Sequence, residues 1–188
     1  MVECFDGRPL AEISLLEIQQ RADVSSSTLH YVFPTKEALV RAAHEHFLGE
    51  QLAVLTAELW ATSYDHLPLD EVLVDLITRY VEFFTTTAPR MVTFRDAERT
   101  YPDLTSARET VDGRVIASVI DYLRGRGAVA DDEAAARCQF AMRSVTATVQ
   151  RFFGPPLPFA EVMGVPTEWV AEQLASLMTP YLLGPLPH

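Results

Sequence analysis

The sequence contains little of what a disulfide-stabilised or membrane-spanning protein needs. Cys4 and Cys138 are its only cysteines, too few and too far apart for a disulfide framework. No apolar run reaches the roughly 18 residues that a membrane span requires. The first twelve residues, MVECFDGRPLAE, carry neither the basic nor the apolar segment of a secretory signal. These absences predict a reduced, cytoplasmic protein with two incidental thiols and no membrane contact.

Motifs of catalysis and metal binding are also scarce. The sequence contains no Gly-rich phosphate loop, no CxxC pair and no suitably spaced Ser/His/Asp set. His46 and Glu50 share one helix face, but His44 points roughly 200° away from His46 at about 100° per residue. A zinc site needs three or four convergent donors. We therefore predict solvated helix side chains at these positions, with no metal, no cofactor and no enzymatic activity.

The chain also shows no strand-like alternation and no internal repeat, whereas apolar residues recur at helical spacing throughout. An all-α fold is therefore predicted. Asp70 is expected to cap the helix after residue 68, Ala88-Pro89 to break it, and Gly125 and Gly127 to end the helix that follows. Asp131 or Asp132 is expected to cap the next one, and the Pro-rich residues 154–166 to form a connection. Predicted helices cover residues 36 to about 61, 69–87, 90–101, 104–126, 131–153 and 167–183.

The most informative stretch runs from Ser14 to Leu39. Ser14 and Ser25 are suitable N-caps for two short helices, and residues 22–24 interrupt the apolar pattern between them. Pro34 ends the second helix, and Thr35 can cap a third. Two short helices joined by a tight turn form a helix-turn-helix unit, whose second helix can enter a DNA major groove.

The residues of this stretch resemble the DNA-binding head of the TetR family of bacterial transcriptional regulators. Asp23 stands where the family usually has glycine at a turn that can need a positive φ, which aspartate tolerates better than most residues. Gln19 and His30 also depart from the usual small residue and tyrosine. The family's first helix precedes this region and only residues 1–5 could be its tail, so the head is expected to be shortened or to begin inside that helix. The matching positions are Ile18, Ala22, Val24-Ser25, Thr28-Leu29, Phe33-Pro34 and residues 36–39.

The resemblance implies a helix-turn-helix head over residues 1–47 and a body over residues 48–188 with a ligand cavity. It also implies a homodimer through the last two helices, for which the stripes Val145-Val149-Phe152 and Trp169-Gln173-Leu177 are candidates; intramolecular core is the alternative for both. In the head, Ser26, Ser27, Thr28 and Tyr31 would face the groove of a double-stranded operator. Ser14, His30 and Lys36 would contact phosphate.

The charge of the chain is unusual for a nucleic-acid binder. The net charge is −11, and residues 1–50 contain four cations against eight anions. Affinity for DNA depends largely on cations that replace counterions on phosphate. Local placement is therefore expected to matter more than a general positive field, and Lys36 is the only lysine of the chain.

The ligand is predicted to be a small apolar or aromatic molecule, because cavities are lined mostly by apolar side chains with a few orienting polar groups. Packing of an ordinary helical core explains the aromatic residues equally well. A buried Arg143 would need a carboxylate or an anionic ligand, whereas a surface position would not. The candidate lining residues are Tyr80, Phe83, Phe84, Phe94, Arg95, Glu98, Phe140, Met142 and Arg143.

Three functional hypotheses follow. The first is a repressor that leaves its operator when a small molecule fills the body. The second is an all-helical ligand-binding or interaction dimer whose short, acidic head no longer binds DNA. The third, a helical metal enzyme using His44, His46 and Glu50, is the least supported by the spacing.

Overall fold

The computed structural model describes residues 4–5, 7–60, 63–153 and 163–184. The protein is all-α, as predicted, and no strand occurs among these residues. The predicted connection over residues 154–166 lies largely outside the described residues. Within the described residues, a 3-10 turn, Leu10–Glu12, precedes seven α-helices: α1 Leu15–Ala22, α2 Ser26–Val32, α3 Lys36–Leu59, α4 Leu69–Thr100, α5 Asp103–Gly125, α6 Asp132–Phe153 and α7 Thr167–Leu183.

Short polar side chains begin several helices as their positions predict. The Ser14 and Ser25 hydroxyls accept from the backbone N–H groups three residues later, both at 3.1 Å. Thr35 caps α3 in the same way. Asp131, rather than Asp132, caps α6, because its Oδ1 accepts from Ala134 N at 2.8 Å. Each cap satisfies a backbone donor that has no partner within the helix.

The expected break at Ala88-Pro89 is wrong, because α4 continues through it as one helix of 32 residues. A proline inside a helix removes one backbone hydrogen bond and costs about 3 kcal/mol. Buried Phe84 and Phe94 pack on either side of residue 89 in two different core clusters, which favours a continuous rod. Thr86 and Thr87 also donate their hydroxyl groups to the carbonyls of Glu82 and Phe83.

The start of α4 also differs from the prediction. The N-cap position is Pro68, without a side-chain cap, and Asp70 lies in the first turn together with Glu71. Carboxylates in the first turn interact favourably with the positive end of the helix dipole. Asp70 therefore stabilises this helix through its charge and not as the predicted cap.

The core is divided along the length of α4. Near its C-terminus, Phe94 and Ala97 pack with the buried side chains of residues 4–48 and with Leu104. Near its N-terminus and middle, α4 packs against the other body helices in two clusters that include Leu76 and Val145 respectively. One helix thus contributes to the core of the head and to the cores of the body.

Candidate nucleic-acid interface

The turn between α1 and α2 has the backbone geometry that the sequence suggested. Asp23 follows α1 with φ +52° and ψ +46°, in the left-handed region, and its N–H group bonds to the carbonyls of Gln19 and Gln20. Among the described non-glycine residues it alone has a positive φ. Aspartate enters this region more readily than most residues, which allows the turn without the usual glycine.

Helix α2 buries one side chain, that of Leu29, against the rest of the head. The side chains of α2 that are predicted to face the groove or to contact phosphate are all exposed. They are Ser26, Ser27, Thr28, His30 and Tyr31. Tyr31 is 90% exposed. The Ser25 hydroxyl bonds with those of Ser27 and Thr28 at 2.9 and 2.8 Å, so the first turn of α2 presents an ordered group of hydroxyls.

Cations in the head are held by protein acceptors. Lys36 Nζ donates to the Leu10 carbonyl at 2.8 Å, and Arg8 and Arg21 both pair with Glu17. Arg41 bonds to Glu37 and to Asp103 at the start of α5. An ammonium group has three donors, so Lys36 can keep the Leu10 contact and still bind a phosphate. The predicted role of Lys36 stays a prediction.

The family model for bacterial regulatory proteins of the TetR family matches residues 2–43. The match identifies the head as a TetR-family DNA-binding domain. The matched residues include both short helices and the first part of α3, so the chain is a DNA-binding transcriptional regulator. A comparison with curated proteins finds no match.

In the TetR-family head, polar contacts tie the first residue of the 3-10 turn and the segment before it to α4. Thr93 Oγ1 donates to the Arg8 carbonyl at 2.6 Å, and Leu10 N donates to Asp96 Oδ2 at 2.8 Å. The Leu10 carbonyl in turn accepts from Lys36. Leu10 thus connects α4 to the start of α3.

A buried ionic network joins three helices at the same junction. His44 on α3 is 1% exposed, and its Nε2 lies 3.2 Å from Oε1 of Glu98 on α4. Arg108 Nε on α5 donates to both Glu98 oxygens at 3.1 and 3.0 Å. Burial alone would raise the pKa of Glu98, but hydrogen bonds from His44 and Arg108 and nearby arginine charges outweigh it and lower that pKa. Glu98 is therefore an ionised link between the head and the body.

A cavity of about 580 Å³ opens beside this network, where the Pro9 segment meets α4, α5 and α6. Its volume lies within the range of known small-molecule sites. Apolar side chains from α4 form part of the wall, namely Phe84, Met91 and Val92. The charged lining consists of Arg95, Arg99, Arg108 and Arg151 with Asp96 and Glu98.

A second, much smaller cavity lies among α3, α4, α5 and α6. Its volume of about 30 Å³ is that of roughly one water molecule. Tyr80, Asp112, Met142 and Thr146 line it with apolar neighbours. Burial raises the pKa of Tyr80 to about 12 and also raises that of Asp112.

The predicted ligand-lining residues are therefore divided among different places. Phe84, Arg95 and Glu98 line the large cavity, whereas Tyr80 and Met142 line the small one. Phe83 is half-buried in the body core and lines neither cavity.

Phe94, Phe140 and Arg143 line neither of these two cavities, and their predicted ligand role stays a prediction. Phe94 belongs to the head core, with its ring stacked 4.5 Å from that of Phe47. Phe140 is 63% exposed, and Arg143 is exposed on the same helix. Arg143 thus takes the surface position that the sequence left open, which requires no carboxylate or anionic ligand.

Five charged residues of these cavities are absent from the predicted set, namely Asp96, Arg99, Arg108, Asp112 and Arg151. The spacing of Arg95 and Arg99 at i and i+4 on one helix is a signal that could have found the second arginine. Arg108 and Arg151 come from other helices, and only the tertiary structure brings them to α4.

The two candidate dimer stripes have different surroundings. Val145 and Val149 are buried against α4 and α7 within the chain, and Phe152 is half-buried beside them. Trp169, Gln173 and Leu177 on α7 are exposed, and Leu177 reaches 67%. Intramolecular packing explains the first stripe, whereas the second has no cover within the described chain.

The histidine cluster separates into two environments. His46 pairs with Glu50 at 3.2 Å on an exposed helix face, as predicted for solvated side chains, but that prediction is wrong for buried His44. No group of three or more potential metal ligands occurs in the described parts of the chain.

None of the described helices is long and apolar enough to cross a membrane.

Proposed function

We propose that this DNA-binding regulator is a homodimeric repressor that a small molecule releases from its operator. The observation that carries the DNA contact is the exposed face of α2, with Ser26, Ser27, Thr28 and Tyr31 around one buried anchor, Leu29. Hydroxyl groups and a phenol can contact base edges and phosphates, but they form few bidentate base contacts. Discrimination per base pair is therefore expected to be modest.

A second subunit is expected to cover the exposed apolar part of α6 and α7. Phe140, Trp169, Leu177 and Tyr181 lie on these two helices, and the Phe140 and Tyr181 rings are 6.1 Å apart. Large apolar side chains grouped on a surface commonly mark a protein interface. A dimer would present two copies of α2 to successive major grooves of a palindromic site.

Release by a ligand requires that the ligand bind the DNA-free conformation more tightly than the DNA-bound one. Helix α3 begins in the head and ends in the body, so a shift of the body can tilt the head. The polar ties from Leu10 to Asp96 and Lys36 lie on this route. The large cavity adjoins them through Pro9 and Asp96.

The test is selection of bound fragments from random DNA, followed by titration of the selected duplex at several salt concentrations. We expect specific binding whose affinity falls steeply with salt, and a loss of roughly 10-fold for Tyr31→Ala if it makes one base or phosphate contact. Val54→Ala, a change at an exposed residue of α3 beyond the head, serves as the control that leaves both the head and the proposed dimer surface intact.

The head cations, all held by protein acceptors, favour the alternative function of a ligand-binding dimer that no longer binds DNA. Equal affinity for selected and random duplexes would support that alternative. Specific, salt-dependent binding that Tyr31→Ala weakens would exclude it.

A further inference from the structure

The lining of the large cavity is cationic although the chain as a whole is acidic. Four arginines face it with two carboxylates, and both carboxylates already bind protein groups. Asp96 accepts from Leu10 N, and Glu98 accepts from His44 and Arg108. The cavity therefore has a positive field that its own acids do not neutralise.

Arg95 and Arg99 concentrate this charge on one face of α4. They stand at i and i+4, where two like charges repel each other in the absence of an anion. Arg95 reaches Glu98 only at 3.7 Å, and Arg99 forms no ion pair with a described residue. Burial and the charge of Arg108 lower the pKa of Arg95, which means that its positive form lacks sufficient compensation. An anion between the two guanidinium groups would supply the missing negative charge.

The apolar part of the wall restricts the kind of anion. Phe84 is buried, and Met91 and Val92 are half-buried beside the arginines. An inorganic ion would leave this surface in contact with water, whereas an aliphatic or aromatic group would cover it. The small cavity, with room for about one water, cannot accept such a molecule in this conformation.

We propose that the large cavity binds an organic acid whose carboxylate lies between Arg95 and Arg99 and whose apolar group packs on Phe84 and Met91. This assignment rests on the proposed repressor function in naming that acid as the effector. Arginine suits the role because its planar guanidinium matches a carboxylate with two parallel hydrogen bonds.

Occupation of the cavity would act on the head through Asp96 and Pro9. Both line the cavity, and Asp96 binds the backbone of Leu10, whose carbonyl holds Lys36 at the start of α3. A carboxylate beside Asp96 repels it and favours displacement of the Leu10 segment. The ligand thus has a direct physical route to the predicted phosphate contact of Lys36.

The binding test uses the full chain without DNA, titrated calorimetrically with 4-phenylbutyrate and octanoate. Their primary amides are the uncharged controls, and inorganic phosphate is the control for a bare anion. We expect at least one acid to bind roughly 10-fold or more tightly than its amide and than phosphate. Amides or phosphate that bind as tightly as both acids, or no binding of either acid at millimolar concentration, would overturn the proposal.

Substitutions of the arginines test whether the acid binds in the large cavity. Arg95→Gln is expected to weaken the acid roughly 10- to 100-fold with little effect on the amide. Arg99→Gln, at an exposed position, provides the same test if Arg95→Gln does not fold. Arg124→Gln removes an exposed arginine on α5 that pairs with Asp121 away from the cavity, and it should leave affinity unchanged. Equal acid affinity in the wild type, Arg99→Gln and Arg124→Gln would contradict the assignment.

The operator experiment separates this proposal from the repressor function. If the selected duplex is bound and the acid weakens that binding, and Arg99→Gln abolishes the effect, the effector assignment is supported. If the acid binds without changing DNA affinity, the effector role is overturned although the repressor function stands. A protein that binds no specific duplex but discriminates acid from amide would lose the repressor function and keep the binding site.

Discussion

Helices α1 and α2 of the head each bury a single side chain, Ile18 and Leu29, whereas α6 in the body buries six along its length. The body helices enclose their own apolar cores. The head completes its core with Phe94, Ala97 and Leu104 from α4 and α5. This difference shows that the position of the head depends on the junction, where ionic and polar contacts accompany the packing. A change at the junction can therefore move the head while the body stays folded.

Removal of an aromatic ring from the junction should give the largest effect. Phe94 is 2% exposed and packs against the rings of Phe5 and Phe47. Phe94→Ala is expected to cost about 3–5 kcal/mol of stability, because it removes apolar contacts and leaves a cavity. Denaturant unfolding measures this loss. Hydrogen exchange should show earlier opening at Ile18 and Leu29 than at Val149.

Val74→Ala is the matched control for Phe94→Ala, since Val74 is exposed on the same helix. Its effect should lie within about 0.5 kcal/mol. If Phe94→Ala instead increased exchange equally in the head and the body, the two regions would unfold as one unit, and the comparison between them would fail.

The charge network should give the next largest effect. Glu98→Gln leaves Arg108 and Arg95 without their shared carboxylate, and breaking a buried pair in this way typically costs about 3 kcal/mol. Because the folded-state pKa of Glu98 is lowered, its stabilisation is present above the unfolded pKa of about 4.3 and disappears as the pH falls through the folded-state value. The difference in the free energy of unfolding between Glu98→Gln and wild type should therefore decrease at acidic pH. Urea unfolding at pH 7 and pH 3 tests this, and a pH-independent difference would contradict it.

Local order in this protein was predictable from sequence, whereas the junction was not. Ser14, Ser25 and Thr35 cap their helices, and Asp23 occupies the left-handed turn, because each depends on neighbours within a few residues. Glu98 and Arg95 were predicted as polar ligand-lining residues, and both line the large cavity. Burial of His44 was missed, since its partner lies 54 residues away on another helix.

The error at Pro89 has a similar origin. Proline is a strong local signal against a helix, but packing of Phe84 and Phe94 in separate cores outweighs it. The exposed side chains of α2 fitted their prediction because the surface of a short amphipathic helix follows from its periodicity. The arginine cavity needed three helices to meet and could not follow from any single one.

Asp112→Asn should have a smaller effect than Glu98→Gln, although both carboxylates contact Arg108. Burial raises the pKa of Asp112, and Arg108 and Arg95 only partly oppose it. A carboxyl group with a raised folded-state pKa loses stabilisation as the pH rises through that value. Asp112→Asn is therefore expected to change the free energy of unfolding by less than about 1 kcal/mol at pH 7. The stability of this variant relative to wild type should increase as the pH rises from 4 to 8. A loss as large as that of Glu98→Gln would mean that both acids are equally necessary to the junction.

The smallest expected effect lies in the head itself, at Asp23. Its φ of +52° is unfavourable for an L-residue, and its carboxylate lies at the negative end of α1. Asp23→Gly should stabilise the head by about 0.5 kcal/mol, because glycine enters the left-handed region freely and carries no charge. The greater flexibility of glycine in the unfolded chain partly offsets this gain. Asp23→Asn separates the two causes, because asparagine tolerates the same φ while it lacks the charge. Unfolding midpoints of wild type, Asp23→Gly and Asp23→Asn measure their relative stabilities. Hydrogen exchange in α1 and α2 tests whether the change in stability lies in the head. Equal midpoints for aspartate and asparagine with a higher one for glycine would assign the cost to backbone conformation. A glycine variant less stable than wild type would show that the loss of chain entropy outweighs both.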